Sequence, residues 1–336
     1  MAAMKLLPAL CALFLFSYGL AAAEKTLDIY FIDVEGGQAT LIVTPDKQSL
    51  LVDTGWPGFE DRDADRIVKT AKKAGLKKID YLVITHYHRD HVGGISQLLQ
   101  KMPVVNFIDH GPNRETGLPA EQLMNAYLKA TATGQRTSVK AGEKIPLKGA
   151  EVLVVSSDGE TINQAGSKNP LCSEATKKAD DPSENARSLG FLLSFGKFKF
   201  LDIGDLTWNK ELELACPANR LGPVSVYLTT HHGMDASGPK ELVHALRPKV
   251  AIMNNGSKKG GSPSAWQIVR SSPGLEDLWQ LHYAIAGGKD NNAPDAFLAD
   301  TAEFGSGNYL KVSANKDGSF SVFNSRNKFT KSYAAR

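Results

Sequence analysis

Three imidazoles and one carboxylate fall within six consecutive positions of this 336-residue chain, in Thr85-His86-Tyr87-His88-Arg89-Asp90-His91-Val92-Gly93-Gly94. They follow directly on the apolar run Ile79-Asp80-Tyr81-Leu82-Val83-Ile84. That run is short, β-branched and aromatic, so it reads as a buried strand that ends where the histidines begin. Neutral imidazole and carboxylate are the donors that Zn²⁺ and similar divalent ions prefer. H-x-H-x-D-H followed by Gly-Gly at a strand end therefore reads as a metal site. Any fold for the chain has to bring this strand end to a place where an ion can sit.

The rest of the pattern alternates strands with helices, which is the signature of an α/β fold. Strands are predicted over 27–34, 39–44 and 49–52, with turns at Glu35-Gly36-Gly37-Gln38 and Pro45-Asp46-Lys47. Ala64, Ile67, Val68 and Ala71 share one face of a predicted helix over 61–74, which Gly75 ends. Further helices are expected over 95–101 and 121–132, and further strands over 151–156, 189–195, 197–202, 224–229 and 250–254. Residues 157–184 are polar and rich in Gly, Asn and Asp, so they read as a surface loop overhanging the site. Residues 277–283 read as an apolar helical stretch that places His282 either in the core or at the site, and His244 reads as an ordinary helix residue. The segment 309–323 reads as a hairpin turning at Lys316-Asp317-Gly318. Neither a repeat nor a linker divides the chain.

Lys5, the apolar stretch 6–20 and Ala21-Ala22-Ala23 together read as an exported protein's leader over 1–23, leaving one domain over 24–336 and a secreted or periplasmic location. Cys11 lies within the apolar stretch and lacks the small preceding residue that lipid attachment needs. Beyond it, no stretch approaches the roughly 18 apolar residues of a membrane span. The formal net charge of +3, which falls by one with Lys5, supplies no basic surface for long nucleic-acid contacts. The Lys pairs at 72-73, 77-78, 177-178 and 258-259 read as solvated surface. Cys172 and Cys216 either pair in an oxidising compartment or stay as buried thiols. Nothing in the pattern sets an oligomeric state.

H-x-H-x-D-H-x-G-G resembles the signature of the metallo-β-lactamase superfamily, and other pieces of that pattern follow in order. Leu50-Leu51-Val52-Asp53-Thr54-Gly55 resembles its first Asp motif, Phe200-Leu201-Asp202-Ile203-Gly204-Asp205 its Gly-Asp segment, and Thr229-Thr230-His231-His232-Gly233 its final His motif. The resemblance implies a four-layer αββα sandwich with metals at the sheet edges. It implies His86 and His88 on one metal, Asp90, His91 and His231 on a second, and Asp205 between them. Either member of the His231-His232 pair fits the ligand position; the other, His232 in the first assignment, would meet a leaving group or substrate oxygen. The third His of the first metal is missing at its usual place, and His110 comes only 19 residues after His91. Asn185, ahead of Ser188-Leu189, stands there instead. That substitution resembles the ComEC-type competence proteins and related hydrolytic dehalogenases, in which an Asn joins the ligands.

An amide oxygen is a weaker donor than imidazole, so one tight Zn²⁺ is expected on Asp90, His91, His231 and Asn185, with a second, weaker ion at His86 and His88. Asp53 is expected either to hydrogen-bond a ligand His or to cap its own turn. Trp56 and Trp208 are expected either to wall the cleft or to pack in the core. The competence-type D-V-G-Q-G-D is replaced by Asp33-Val34-Glu35-Gly36-Gly37-Gln38, and the late His-Pro-Ser by Ser262-Pro263-Ser264. Both departures point away from DNA.

A divalent ion with an open position lowers the pKa of water bound to it towards about 7, and Asp90 or Asp205 would hold or deprotonate that nucleophile. The expectation is thus a metal-dependent hydrolase of a small molecule, with four readings of its substrate or role. They are a phosphoester or phosphodiester, a chlorinated aromatic or other xenobiotic, a lactone or β-lactam ring, and a non-catalytic metal-binding module. The full set of His86, His88, Asp90, His91, Asp205 and His231 argues against the last.

Overall fold

The strand Leu27–Ile32 pairs antiparallel with Thr40–Val43 on one side and with Tyr309–Ala314 on the other, so distant parts of the chain share one sheet. The computed structural model describes Met1 and residues 25–336; the expected leader over 1–23, from residue 2 on and with Cys11, lies outside the described residues. The first nine-stranded sheet runs in the order Thr330–Tyr333, Phe320–Asn324, Tyr309–Ala314, Leu27–Ile32, Thr40–Val43, Ser49–Val52, Ile79–Val83, Val104–Asp109 and Gln135–Ser138. Its last four strands are parallel. The second sheet runs from Leu298–Asp300 through Asp277–His282, Val250–Met253, Val226–Leu228, Phe198–Asp202, Gly190–Phe195 and Glu151–Ser157 to Lys144–Ile145, with Glu160–Thr161 beside Glu151–Ser157. Its first five strands are parallel.

Side chains that alternate along a strand point to opposite faces, and here both faces are buried. Leu27, Ile29 and Phe31 enter the core between the sheets with Phe191, Phe198 and Phe200. Tyr30 and Ile32 point the other way, under helices α1 (Arg62–Lys73), α2 (Arg89–Val92), α3 (Ile95–Lys101) and α4 (Leu118–Thr131). On the second sheet, Leu201, Tyr227 and Ala251 face α5 (Trp208–Ala215), α6 (Lys240–Leu246) and α7 (Pro263–Arg270). The result is the four-layer αββα sandwich. Parallel strands covered on both sides account for the unbroken apolar runs at 81–84 and 250–253.

Two readings need correction. Residues 277–282 form a strand rather than a helix: all but Asp277 are buried, the polar Gln280 and His282 along with Leu278, Trp279 and Leu281, so no alternation of period 2 marks the strand. The segment 157–184 is not a plain loop: Ser167–Lys168 pairs with Ala218–Asn219, and a short turn of helix spans Pro170–Glu174. Cys172 and Cys216 are joined, which fastens that turn to the end of α5. Among the described residues no helix is long and apolar enough to cross a membrane.

Candidate metal centre

The carboxyl ends of parallel strands from both sheets meet at one edge, the usual place for a site in such sheets. Ser49–Val52 leads to Asp53, Ile79–Val83 to the histidine motif, Phe198–Asp202 to Asp205, and Val226–Leu228 to His231 and His232. Three of these residues hold backbone shapes that L-residues seldom adopt, with φ of 60° at Asp53, 54° at His231 and 56° at His232. Such strain persists where surrounding structure enforces it, and it concentrates at functional sites. The Gly-Gly of the motif has a packing reason. A Cβ on Gly94 would lie 2.2 Å from the Thr54 carbonyl oxygen, so the motif can close on the Asp53 turn only without a side chain there.

Asp90, His91, Asp205 and His232 each turn one donor atom into a common space, all within 4.8 Å of one another, and all four are buried. His91 Nε2 lies 3.2 Å from Asp90 Oδ2 and 3.2 Å from Asp205 Oδ2. His232 Nε2 lies 3.2 Å from Asp90 Oδ2 and 3.3 Å from Asp205 Oδ1. The far sides of both rings are engaged: His91 Nδ1–H donates to Asp53 Oδ2 at 2.7 Å, and His232 Nδ1–H donates to the Asn254 carbonyl at 3.3 Å. Their partners can only accept, so both Nε2 atoms are turned to the same point, 3.2 Å apart, where each can hold a proton or a metal ion. Two imidazole nitrogens and two carboxylates so arranged call for a cation. His86 Nε2 and Asn185 Oδ1 are also buried without a hydrogen-bond partner, so each has an unused acceptor site. The donor set fits a divalent metal.

The electrostatics carry the same sign. Burial pushes the His91 pKa down, but Asp205, Asp90 and Asp53 outweigh it and hold the ring well above the usual imidazole range. Burial raises Asp90 and Asp205, yet neighbouring imidazoles, with Lys259 beside Asp90, bring both carboxyls well below the ordinary range. His86 is held well below its usual value, first by burial and then by the His91 charge. The pocket thus stabilises positive charge centred on Asp90 and Asp205.

Asp53 performs the contact expected of it, accepting from His91 and also from the Thr85 hydroxyl at 2.7 Å and the Thr85 N–H at 2.8 Å. His231 lies on the other side of Asp205, with Nε2 3.5 Å from Oδ2, and it is His232 rather than His231 that shares the four-group space. His86 borders that space, 3.9 Å from Asp205 Oδ2, whereas His88 turns its Nε2 to Glu115 Oε1 at 2.9 Å. His110 is remote from the cluster in its bonding: its Nε2 is 2.9 Å from Glu184 Oε2, with both side chains fully buried. Asn185 sits on the short turn Glu184–Arg187 that this pair anchors. His282 is a core residue held by Asp33 and Glu35, and His244 lies on α6. Trp56 flanks the centre under Lys259, while Trp208 instead donates to the Thr176 carbonyl at 2.9 Å.

Sequence reasoning missed Lys259. It is not a solvated surface lysine: its Nζ donates to Asp90 Oδ2 and lies 5.2 Å from the centroid of Trp56. Lys258, one residue earlier, does pair with Glu303 at the surface. The available signal was the glycine density of Gly256-Ser257-Lys258-Lys259-Gly260-Gly261. A separate cavity of about 890 Å³, lined by His110, Ser138, Lys140, Leu153 and Ile162 among others, shares none of the four clustered residues.

Residues 32–165 match the sequence profile described as the metallo-beta-lactamase superfamily. Recombination protein 2 of Haemophilus influenzae is 27% identical over 236 residues, covering 70% of this chain and 25% of that protein. ComE operon protein 3 of Bacillus subtilis is 24% identical over 258 residues, covering 72% of this chain and 30% of that protein. The chain therefore spans a third or less of the length of these two relatives. A metal-dependent hydrolase of Cupriavidus necator is 24% identical over 250 residues, covering 70% of this chain and 77% of that protein.

Proposed function

We propose that this chain, which carries a metallo-beta-lactamase superfamily domain, is an exported zinc-dependent hydrolase of phosphoesters, phosphodiesters or small xenobiotics. Metal-dependent hydrolysis is the activity of the superfamily. The observation that carries the proposal is the convergence of Asp90, His91, Asp205 and His232 from separate strand ends, with their donor atoms within 4.8 Å.

In this reading Asp90, His91, Asp205 and His232 hold the principal ion, with Asn185 Oδ1 as a further donor, and His86 and His88 form the weaker position. When bound, such an ion supplies hydroxide at neutral pH and polarises the bond to be cleaved. The chain's own residues do the rest. Asp53 fixes the His91 ring, and Asp90 and Asp205 offer carboxylate oxygens to hold the proton leaving the attacking water. His231, whose side chain is 10% exposed where that of His232 is fully buried, takes the role of meeting a substrate or leaving-group oxygen. The leader-like residues 1–23 and the Cys172–Cys216 bond support export, since disulfides persist in oxidising compartments.

The test is a panel of phosphodiester, phosphomonoester, lactone, β-lactam and chloroaromatic substrates offered to purified, zinc-loaded protein. Turnover of an ester that disappears in Asp90→Ala is the expected result, and inertness towards every member would refute the hydrolase reading. Asn185→His should tighten zinc, since imidazole is the stronger donor. Unchanged zinc affinity and rate in Asn185→Ala would remove Asn185 from the ligand set.

A further inference from the structure

Lys259 is presented to the metal centre by a turn that has no room to move. Gly256 N–H donates to the Lys259 carbonyl at 2.8 Å, and Gly261 N–H donates to the His232 carbonyl at 3.0 Å. A Cβ on Gly260 would lie 2.2 Å from that His232 oxygen, and one on Gly36 would lie 3.0 Å from Lys259 Cβ. The lysine backbone is thus clamped between a ligand histidine and the Glu35–Gln38 turn. Its side chain is 28% exposed, so it is neither buried structure nor free surface. Its ammonium rests on Asp90 Oδ2 and faces Trp56, whose ring favours a cation there.

Asp90 therefore serves two cations, and an ion bound by its carboxylate would weaken its hold on the lysine. The released ammonium, fixed at its root beside the reacting space, would have donors to spare. We propose that Lys259 binds an anionic oxygen of the substrate, making this centre selective for substrates that carry a phosphate or carboxylate group. The inference rests on the hydrolase reading and narrows its substrate class. The anionic oxygen takes the ammonium's hydrogen bond in place of Asp90, so the lysine also balances the charge that the substrate brings into the site.

Calorimetric titration of zinc-loaded protein with inorganic phosphate tests it, with chelator competition for zinc measured in parallel. Loss of a charge-assisted hydrogen bond predicts phosphate affinity about tenfold weaker or more in Lys259→Met. Lys259→Arg should retain affinity to within about threefold, because it keeps the charge. Lys258→Met should bind as wild type does. Zinc should be held as tightly or more tightly in Lys259→Met, since a competing cation has gone. Equal phosphate affinity in wild type and Lys259→Met would overturn the proposal, as would a wild type that binds no phosphate or an equal loss in Lys258→Met. The titration needs no turnover, so a failure of the substrate panel alone would count against the hydrolase reading and leave the phosphate result to judge Lys259.

Discussion

Asp53 is the residue on which the centre's alignment turns. It is fully buried, it sits at a φ of 60°, and it accepts from both Thr85 and His91. Removing a carboxylate behind a ligand histidine frees the ring to rotate and to change tautomer, which typically costs 10–100-fold in metal affinity. Asp53→Ala should show a loss of about that size in chelator competition, while Asp53→Asn, which still accepts through its amide oxygen, should lose less. The two adjacent histidines separate by the same logic. His232 Nε2 faces Asp90 and Asp205, whereas His231 meets Asp205 alone. His232→Ala should therefore release zinc at least about tenfold more readily than His231→Ala, and His231→Ala should act mainly on turnover. Equal zinc loss in both variants would return His231 to the ligand set.

At the scale of elements, the centre is assembled by strand ends and braced by what crosses them. The helical turn Pro170–Glu174 is tied to α5 by the Cys172–Cys216 bond, and Trp208, the first residue of α5, holds Thr176 and stacks under Lys178 at 3.7 Å. α5 follows directly on the Asp205 loop. Closing a loop of this length stabilises by roughly 2–4 kcal/mol. Reduction, or the double change Cys172→Ser with Cys216→Ser, should lower the melting temperature measurably. Far-UV circular dichroism should change little, because the two sheets do not depend on this tie. A melting temperature indifferent to reductant would show that the bond does not restrain the unfolded chain.

For the whole molecule, the question is what holds the two sheets in register beyond their shared apolar core. Asp33, past the end of Leu27–Ile32, and His282, ending Asp277–His282, come from opposite sheets, and His282 Nε2 lies 2.8 Å from Asp33 Oδ2 and 3.1 Å from Glu35 Oε2. Arg66 on α1 adds a 3.1 Å contact to Glu35. Gln38 makes a second crossing, donating to Asp202 at 2.9 Å. Burial pushes the His282 pKa down, but its two carboxylate partners outweigh this and raise it to about 10. Burial raises Glu35, but His282 and Arg66 lower it to about 2. His282 therefore adds stability that is full below its unfolded value of 6.5 and is lost as pH climbs through about 10. Glu35 adds stability that is full above 4.5 and is lost as pH falls through about 2. Both contributions are complete between 4.5 and 6.5. Compared with wild type by denaturant unfolding at each pH, His282→Gln should therefore be less stable by about 3–5 kcal/mol below pH 6.5, with the difference shrinking as pH climbs through about 10.

Much of this was legible in the residues themselves. Local chemistry marks a strand end crowded with donors, and periodicity of 2 or 3.6 marks the faces of 27–32 and 62–73, because both depend on neighbours within a few positions. Asp90, His91, Asp205 and the His pair were visible for that reason, as was Asp53. What needed the tertiary structure is everything decided between segments far apart in the chain. Residues 277–282 carry no alternation, because this inner strand buries polar Gln280 and His282 as well as its apolar side chains, and only the pairing with Val250–Met253 makes them a strand. The choice of His232 over His231 for the shared space depends on a strained turn at the end of Val226–Leu228. His110 reads as a spare ligand until Glu184, 74 residues away, claims it. Lys259 reads as surface until the glycine turn lays it against Asp90, 169 residues earlier. Sequence determines which groups are able to bind a cation, and the sandwich's closure decides which of them face the same point.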